Sequence, residues 1–379
     1  MINFNQIPSP CFVLEERLLR RNLELLKDVQ DRTGAEIICA LKGFAMFSTF
    51  PMVREYLKGA TASSLNEAHL CFDEMKSKAH LCAPAYLPQE FDELMSYCSH
   101  ITFNSFSQWE FYKEKINSSK EKISCAIRIN PEHSEVETDL YNPARPGSRL
   151  GITIDKFSSA LPEGIEGLHF HTLCENDSFA LERTLKVIEE KFGHLIRQCK
   201  WINFGGGHHI TRADYDREHL IRLINDFRKR YNNIKVILEP GEAVGWQTGY
   251  LVSSVQDIIE NKGIEVAILD VSFSTHMPDC LEMPYKPLII GATESVNGKP
   301  VYRMGGISCL AGDFMGDYSF ENKLKPGDKI VFHDMIHYTM VKTTTFNGVG
   351  LPMIGIWTEK DEIVLVKKFG YEDYKSRLS

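Results

Sequence analysis

Long apolar runs are missing from this sequence, and so is an excess of positive charge. No stretch approaches the roughly 20 apolar residues that cross a membrane, and residues 1–10 lack a basic segment followed by an apolar one. Lysine and arginine number 43 against 51 aspartates and glutamates, a formal net charge of −8 at pH 7. We therefore expect a cytoplasmic protein whose partner is neither a membrane nor a nucleic acid, and the negative charge is compatible with a cationic substrate.

Paired cysteine motifs are also missing, although the sequence contains ten cysteines. Cys39, Cys82 and Cys125 lie within apolar runs, which predicts reduced thiols in the core rather than a disulfide framework or a zinc site. There is no internal repeat and no low-complexity tract. The 379 residues, 43% of them hydrophobic and 25% charged, indicate a globular protein of two domains, or one large barrel with an addition.

Short strand-like runs alternate with helical stretches over the first two thirds of the chain. This alternation predicts parallel pairing and, with eight strands, a closed (β/α)8 or TIM barrel. The predicted strands cover 37–42, 59–63, 80–83, 100–104, 123–129, 167–173, 201–205 and 235–239.

Beyond Glu242 the pattern changes to strand-like runs joined by turns, without a long helix. This pattern predicts a separate all-β domain, a β-sandwich or β-barrel. We expect the barrel to occupy residues 11–245, and residues 1–10 and 246–379 to form the β domain. The predicted strands of the β domain are 250–259, 265–269, 287–290, 301–304, 329–333, 338–344 and 362–366.

Lys42 is out of place at the end of the apolar strand 37–42. An ammonium group without a partner is costly to bury, so a lysine in a dry site loses its proton and becomes a nucleophile, or bonds covalently to a cofactor. The simpler alternative is that Lys42 marks the point where the strand reaches solvent.

Three other predicted strands also end on unusual residues. Strand six ends on His169 and His171, strand seven on Gly205–Gly207, and strand eight on Glu239. The C-terminal ends of barrel strands carry the chemistry of such enzymes, so these residues and Lys42 are expected at one rim.

Each of these motifs has alternatives. Three glycines after a strand expose N–H groups that suit a phosphate, or form a tight loop. His169 and His171 face the same side of their strand, as zinc ligands do in some hydrolases; otherwise His169 is a core residue and His171 a flat stacking group. Glu239 either points into the barrel mouth or caps the next helix.

Taken together, these residues describe a pyridoxal phosphate site without a metal. Lys42 would hold the cofactor covalently, Gly205–Gly207 would bind its phosphate, His171 would stack on its ring, and Glu239 would keep the ring nitrogen protonated. A protonated ring is a strong electron sink, which favours decarboxylation over racemisation.

The motifs also resemble those of a known family. Ala40-Leu-Lys42, Gly167-Leu-His-Phe-His171, Phe204-Gly-Gly-Gly207, Glu239-Pro-Gly241 and Cys309-Leu-Ala-Gly-Asp313 are similar in order and spacing to the fold-type III, alanine-racemase-like pyridoxal phosphate decarboxylases. That family includes ornithine and diaminopimelate decarboxylases. His276-Met-Pro-Asp279 and Ile336-His-Tyr-Thr339 resemble the branch that acts on carboxynorspermidine and carboxyspermidine.

The resemblance implies an obligate homodimer, with each active site between the barrel of one subunit and the β domain of the other. It implies that Cys309 reaches in from the other subunit and returns a proton to the substrate after carbon dioxide leaves. It also implies that Gly241 and Tyr338 help to bind the phosphate. The sequence alone gives Cys309 no such distinction, because it could equally be a packing residue.

The chain departs from ornithine-type relatives at Glu242, where they carry an arginine that supports the phosphate. A carboxylate would be repelled by a phosphate but can bind a cation. Several acids are therefore expected to bind the protonated amines of a substrate. They are Glu175, Glu242, Asp270, Asp279 and Asp313, with Asp177 as a further acid that is equally explained by solvation.

We therefore expect decarboxylation of carboxynorspermidine, carboxyspermidine or both to the free polyamine, a step of polyamine biosynthesis. The alternatives are a diaminopimelate- or ornithine-type decarboxylase, a cofactor-free regulatory homologue and a zinc hydrolase. The two preferred substrates differ by one methylene, worth only roughly 1–3 kcal/mol in a pocket, and the sequence does not choose between them.

Overall fold

Parallel strands and helices alternate through residues 22–244, one of the two units into which the chain divides in the computed structural model. The structure describes residues 2–294 and 298–379. The strands are β1 (Cys11–Glu15), β2 (Glu36–Ile37), β3 (Cys39–Ala40), β4 (Ala60–Ala62), β5 (Ala79–Cys82), β6 (Cys98–Phe103), β7 (Ser124–Arg128), β8 (Ile165–His169), β9 (Trp201–Asn203), β10 (Lys235–Leu238), β11 (Gly249–Asn261), β12 (Ile264–Leu269), β13 (Ala292–Thr293), β14 (Val301–Gly305), β15 (Phe314–Phe320), β16 (Lys329–His333), β17 (Met353–Trp357) and β18 (Ile363–Lys367).

The helices follow the same chain order. They are α1 (Glu16–Thr33), α2 (Phe50–Tyr56), α3 (Leu65–Leu70), α4 (Phe91–Tyr97), α5 (Phe106–Asn117), α6 (Ser178–Ile196), α7 (Arg217–Arg230), α8 (Glu242–Gly245), α9 (Phe273–His276), α10 (Pro278–Glu282), α11 (Tyr338–Lys342) and α12 (Tyr371–Lys375). Within the described ranges, no helix is both long enough and apolar enough to cross a membrane.

The barrel closes through a break in its first strand. β2 and β3 are two halves of the predicted strand 37–42, separated by Ile38. β2 pairs in parallel with β10 and β3 with β4, while parallel pairing runs without a gap from β4 to β10. Ile38 N–H donates to the carbonyl oxygen of Leu238 (3.0 Å) and Cys39 N–H to that of Gly59 (2.9 Å). The predicted parallel barrel is confirmed.

Helices of this unit bury one apolar face each. The nineteen residues of α6 bury Leu181, Leu185, Ile188 and Phe192, which recur at the three- and four-residue spacing of one helical face. Asp177 is the N-cap of the helix, because its Oδ1 accepts the N–H of Ala180 at 2.8 Å.

The second unit comprises residues 1–21 and 245–379 and is mainly sheet. Its strand order is β13-β15-β14-β12-β11-β1-β17-β18, with β16 also paired to β11. β1 lies between β11 and β17, antiparallel to the first and parallel to the second. The sheet unit therefore includes residues beyond the predicted boundary at residue 11, since the buried run Cys11–Leu14 fills the middle of this sheet.

The prediction of a barrel followed by a separate β domain is confirmed, but individual strands differ. The predicted strand 338–344 is wrong, because the structure forms helix α11 (Tyr338–Lys342) there. Strand β15 was not predicted, because Gly316, Asp317 and Ser319 lower its strand propensity. β15 forms despite its low local propensity because it pairs with both β13 and β14.

Candidate active site

Lys42 lies just beyond β3, at the C-terminal end of the barrel. Both Gly43 N–H and Phe44 N–H donate to the carbonyl oxygen of Ala40 (3.0 and 3.1 Å), so the chain turns sharply around the lysine. Its side chain is accessible to solvent, yet protein surrounds it on most sides. This loss of hydration, and next the charge of Arg128, lower the pKa of Lys42 below 10.5.

His171 connects the lysine to the glycine loop. Its Nδ1 accepts the N–H of Gly206 (3.0 Å), and its Nε2 lies 3.3 Å from Nζ of Lys42. Burial, and then the charge of Lys42, lower the pKa of His171 well below 6.5, so the ring is neutral. With Nδ1 as acceptor, we assign the ring proton to Nε2. Nε2–H then donates to Nζ, which requires the lone pair of a neutral amine, the nucleophilic form of lysine.

Glu239 is a buried carboxylate with defined partners. Its Oε1 accepts Nδ2–H of Asn203 (2.7 Å), and its Oε2 lies 3.5 Å from Nε2 of His169. Asn203 is itself oriented, because its Oδ1 accepts the N–H of Gly205 (2.8 Å). Burial raises the pKa of Glu239 and lowers that of His169 well below 6.5. The carboxyl group is therefore well placed to hold a proton between itself and a basic nitrogen.

The glycine loop after β9 has no room for side chains. A Cβ on Gly206 would lie 2.2 Å from the carbonyl oxygen of Glu239, and one on Gly207 would lie 1.9 Å from that of Leu173. Gly207 also has a φ of +85°, which other residues rarely adopt. Of the three glycine N–H groups, that of Gly207 makes no hydrogen bond to another described residue, whereas those of Gly205 and Gly206 are occupied.

A second close approach joins the loops after β3 and β10. A Cβ on Gly241 would lie 2.9 Å from the carbonyl oxygen of Ala40, and one on Gly43 would lie 2.9 Å from the N atom of Glu242. The Glu242 side chain is one-sixth exposed, and its Oε2 lies 3.1 Å from Nε2 of the buried His209. The lysine and the two proposed phosphate loops are thus parts of one rim.

The sequence interpretation missed Arg128 and Asn203, and it noted His209 at the end of strand seven without giving it a role. Arg128 ends β7, and its Nη2 donates to the carbonyl oxygen of His171 (3.3 Å). It could have been found by the same signal as Lys42, a cation at the end of the apolar run Cys125–Ile127. Nothing in the sequence distinguishes Asn203, because its role depends on the amide that orients it.

The remaining predicted acids of the barrel unit differ in exposure. Glu175 is exposed in the left-handed conformation (φ +55°), and its carbonyl oxygen accepts Nη1–H of Arg212 (3.4 Å). Asp177 uses its carboxylate to cap α6, as described above.

Two acids predicted to bind substrate instead accept hydrogen bonds from residues of the sheet unit. Asp270 accepts Ser253 Oγ–H (2.9 Å) and Ser254 N–H (2.8 Å) on one oxygen and Ser9 Oγ–H on the other. Asp313 is buried and accepts two N–H groups and a hydroxyl from its surroundings. The structure thus gives both carboxylates local hydrogen-bonding roles.

Asp279 is different, because only one of its oxygens is used. Oδ2 accepts hydroxyl groups from Thr339 (2.7 Å) and Tyr285 (3.1 Å). Oδ1 is buried without a hydrogen-bond partner among the residues described. In the same unit, Cys309 is exposed, with its N–H bound to Oδ1 of Asn347 (2.7 Å), and Tyr338 is the first residue of α11.

Across the described ranges, no group of three or more histidine, cysteine, aspartate or glutamate side chains is arranged to hold a metal. His169 and His171 have separate partners, Glu239 and Lys42.

The barrel rim fits pyridoxal phosphate by the chemistry of its side chains. Lys42 offers a neutral amine to an aldehyde, Glu239 offers a buried acid to a ring nitrogen, and Gly206 and Gly207 keep the loop bare for a phosphate. A (β/α)8 barrel with such a rim and a sheet unit defines the pyridoxal phosphate enzymes of fold type III.

Comparisons with known proteins agree with this class. Residues 29–336 match the family model described as pyridoxal-dependent decarboxylase, C-terminal sheet domain. The chain is 50% identical, over 99% of its length and 96% of the relative's, to a carboxyaminopropylagmatine decarboxylase of Synechocystis sp.. It is 46% identical, over 99% of both chains, to a carboxynorspermidine/carboxyspermidine decarboxylase of Campylobacter jejuni.

A solved structure is also similar throughout. The Campylobacter jejuni carboxynorspermidine decarboxylase complexed with norspermidine superposes with a TM-score of 0.91 at 46% identity, covering 98% of this chain and all (100%) of that one. The chain belongs to the pyridoxal-dependent decarboxylase family. It is therefore a decarboxylase with pyridoxal phosphate as cofactor, and the predicted family, cofactor and enzyme class are confirmed.

Proposed function

We propose that this enzyme decarboxylates carboxynorspermidine, carboxyspermidine or both, and releases norspermidine or spermidine in polyamine biosynthesis. The observation that carries the proposal is the 46% identity, over 99% of both chains, to a decarboxylase named for these two substrates. Relatives named as diaminopimelate decarboxylases are far less similar, at 22% identity over 96% of the chain in one case. A diaminopimelate- or ornithine-type activity is therefore the weaker alternative.

Bound pyridoxal phosphate supplies the electron sink that accepts the electron pair left when the substrate carboxylate departs as carbon dioxide. In our proposal Lys42 would hold the cofactor covalently through its amine, and His171 would orient that amine and cover one face of the ring. Glu239 keeps a proton on the ring nitrogen. Support comes from the 3.3 Å approach of His171 to Lys42 and from the burial of Glu239, since a buried carboxylate would stabilise a positive charge on the ring nitrogen.

We further propose a homodimer in which Cys309 of one subunit returns the proton to the substrate carbon held by the other. Tyr338 and Gly241 would help to bind the phosphate. The exposure of Cys309 supports this role, because a thiol that serves another subunit must lie at the surface of its own. The ten cysteines, none of them in a disulfide, support the proposed cytoplasmic location.

The polyamine tail is assigned to carboxylates that can accept an ammonium group. Asp279 is the best supported, since its buried Oδ1 has no hydrogen-bond partner among the described residues and a protonated amine would supply one. Glu175 is exposed near the rim, and Glu242 is partly exposed on it. Asp270 and Asp313 would act indirectly, because protein groups already occupy both of their carboxylates.

A second candidate substrate is carboxyaminopropylagmatine. The Synechocystis relative named for it shares 50% identity with this chain. The tail of carboxyaminopropylagmatine ends in a guanidinium group rather than an ammonium group. A carboxylate can bind either cation, so the acids assigned to the tail accommodate both.

Steady-state kinetics on one preparation of holoenzyme tests these assignments. Five substrates are compared by kcat/KM: carboxynorspermidine, carboxyspermidine, carboxyaminopropylagmatine, meso-diaminopimelate and ornithine. We expect kcat/KM for a carboxylated triamine to exceed that for both diamino acids by roughly 100-fold or more. A shorter substrate would leave the carboxylates that bind the tail without a cation. A faster reaction with diaminopimelate or ornithine would refute the proposal, and a preference for carboxyaminopropylagmatine would select the second candidate.

A further inference from the structure

His209 is a buried side chain of the rim to which the proposed reaction gives no role, and it is paired with Glu242. His209 follows the glycine loop, two residues after Gly207, and only 2% of its side chain is exposed. Its N–H donates to the carbonyl oxygen of Asn176 (3.1 Å), which fixes its backbone against the loop after β8. Its Nε2 lies 3.1 Å from Oε2 of Glu242.

The pair therefore spans the two loops to which phosphate binding is assigned. His209 extends from the loop after β9, and Glu242 from the loop after β10, directly behind Gly241. A carboxylate in this position repels a phosphate, which carries about two negative charges, and low hydration makes that repulsion stronger. His209 counteracts this repulsion, because its Nε2 is paired with the carboxylate oxygen of Glu242 that would otherwise face the phosphate alone.

We propose that His209 is a positioning residue for the cofactor: as the partner of Glu242, it offsets the charge of that carboxylate and so permits a phosphate to bind beside it. The proposal rests on the assignment of the phosphate to these loops. It does not depend on the identity of the polyamine substrate.

The effect of the pair should appear only when a phosphate is present. Without His209, Glu242 is left as a partly buried carboxylate without this partner, and the phosphate faces its full charge. Without Glu242 there is nothing to offset, so the loss of His209 then matters little. The two substitutions should therefore be strongly non-additive.

A double-mutant cycle on cofactor affinity tests this. Pyridoxal phosphate is titrated into the cofactor-free forms of the unmodified protein, His209→Asn, Glu242→Gln and the double variant, and binding is followed by the absorbance of the lysine-bound cofactor. We expect His209→Asn to weaken binding by about 30-fold, the loss typical of removing one partner of a buried charged pair. Glu242→Gln and the double variant should both stay within about threefold of the unmodified protein.

Pyridoxal, which has no phosphate, is the matched control ligand. His209→Asn should change its affinity by less than about threefold, because the remaining contacts of the rim are kept. Equal losses for pyridoxal and pyridoxal phosphate would instead mean that His209 supports the fold of the loop, and would overturn the proposal. Unchanged affinity in His209→Asn, or losses that add in the double variant, would overturn it as well.

Folding of each variant is checked by circular dichroism before titration. Should His209→Asn fail to fold, His209→Gln replaces it in the cycle, since glutamine can reach Glu242 with an N–H but carries no charge. It should still weaken pyridoxal phosphate binding by about tenfold and leave pyridoxal unaffected. A negative result in the substrate panel would leave this outcome unchanged, so the two proposals fail independently.

Discussion

Histidines occur at both ends of the barrel, but their neighbours differ: aromatic rings surround them at one end and polar groups at the other. Near the strand beginnings, His80 stacks on His100 with ring centroids 3.8 Å apart, and His100 meets the edge of Trp201 at 5.3 Å. Near the strand ends, His171 faces Lys42, and both its ring nitrogens have polar neighbours. We call these two groups the floor and the rim of the barrel.

The floor is closed by ring packing and a short hydrogen-bond chain that ends on Glu166, whose carboxylate also pairs with Lys122 and Lys200. Trp201 Nε1–H donates to Ser124 Oγ (2.8 Å), and the Ser124 hydroxyl donates to Oε2 of Glu166 (2.7 Å). A Cβ on Gly167 would lie 2.4 Å from the Trp201 ring, so the indole packs directly on the backbone of β8. The rim instead gathers the ionisable side chains of Lys42, His171 and Glu239 at the strand ends, where burial shifts the pKa of each.

The difference between the two ends indicates that the floor contributes mainly to stability and the rim mainly to catalysis. Residues of the floor should affect the free energy of unfolding with little effect on turnover, and residues of the rim should do the reverse. The predictions below test that division from both sides.

The largest effect is expected from Lys42→Ala. Without the amine, the cofactor cannot be held covalently, and kcat should fall by about four orders of magnitude or more. The visible absorbance of the lysine-bound cofactor should also disappear. The floor variant His100→Phe, as the control, should keep both the absorbance and the turnover; comparable losses in the two variants would abolish the distinction between rim and floor.

Glu239→Gln should have the next largest effect. Glutamine can still accept the Asn203 amide but cannot keep the ring nitrogen protonated, so kcat should fall about 100- to 1,000-fold. The thermal midpoint should not decrease, because a buried acid has been replaced by a neutral group. A marked loss of stability with kcat preserved would place Glu239 among the structural residues.

At the floor, Gly167→Ala should act on stability. The added methyl group collides with the Trp201 ring, and overpacking of this kind costs about 1–3 kcal/mol in the free energy of unfolding. Urea denaturation measures this cost, while kcat per folded molecule should be unchanged. Gly350→Ala, where a Cβ meets nothing within 4 Å, is the matched control and should be neutral.

The smallest effect is a pH dependence of the floor. Burial lowers the pKa of His100 from 6.5 to about 4, so the unfolded chain takes up a proton at a higher pH than the folded protein does. The free energy of unfolding should therefore fall as the pH is lowered, by about 2 kcal/mol between pH 7.5 and 5 from this group. In His100→Phe the decrease should be smaller by that amount, as urea denaturation at the two pH values would show. An identical decrease in both proteins would contradict the assignment.

The sequence was sufficient to predict where residues at the strand ends lie. Lys42, His171 and Glu239 end strands that a parallel barrel brings to one rim, and the structure places Lys42 within 3.3 Å of His171. It was insufficient where an orientation or a pair decides the role. Asn203 acts through a single backbone amide, and His209 meets Glu242 from another loop. No periodic pattern in the sequence predicts either contact.

The acids of the sheet unit illustrate the same limit. Asp270, Asp279 and Asp313 look alike in sequence, as isolated acids near apolar runs. Of the three, only Asp279 has a buried oxygen without a hydrogen-bond partner in the described part of the chain, whereas the other two are occupied by serine groups. The number of unoccupied hydrogen-bond acceptors is a property of the folded chain and cannot be read from residue type.

The break at Ile38 gives the barrel seam a consequence for protein synthesis. The segment that leads to Lys42 is anchored by strands from both ends of the unit: Leu41 N–H donates to the carbonyl oxygen of Thr61 (3.2 Å), and Ala40 N–H donates to that of Pro240 (2.9 Å). A growing chain that has not yet left the ribosome as far as Pro240 therefore lacks half of the support for its nucleophile. The lysine is made early in translation, but we expect its backbone to be fixed only when the last strand of the barrel has been made.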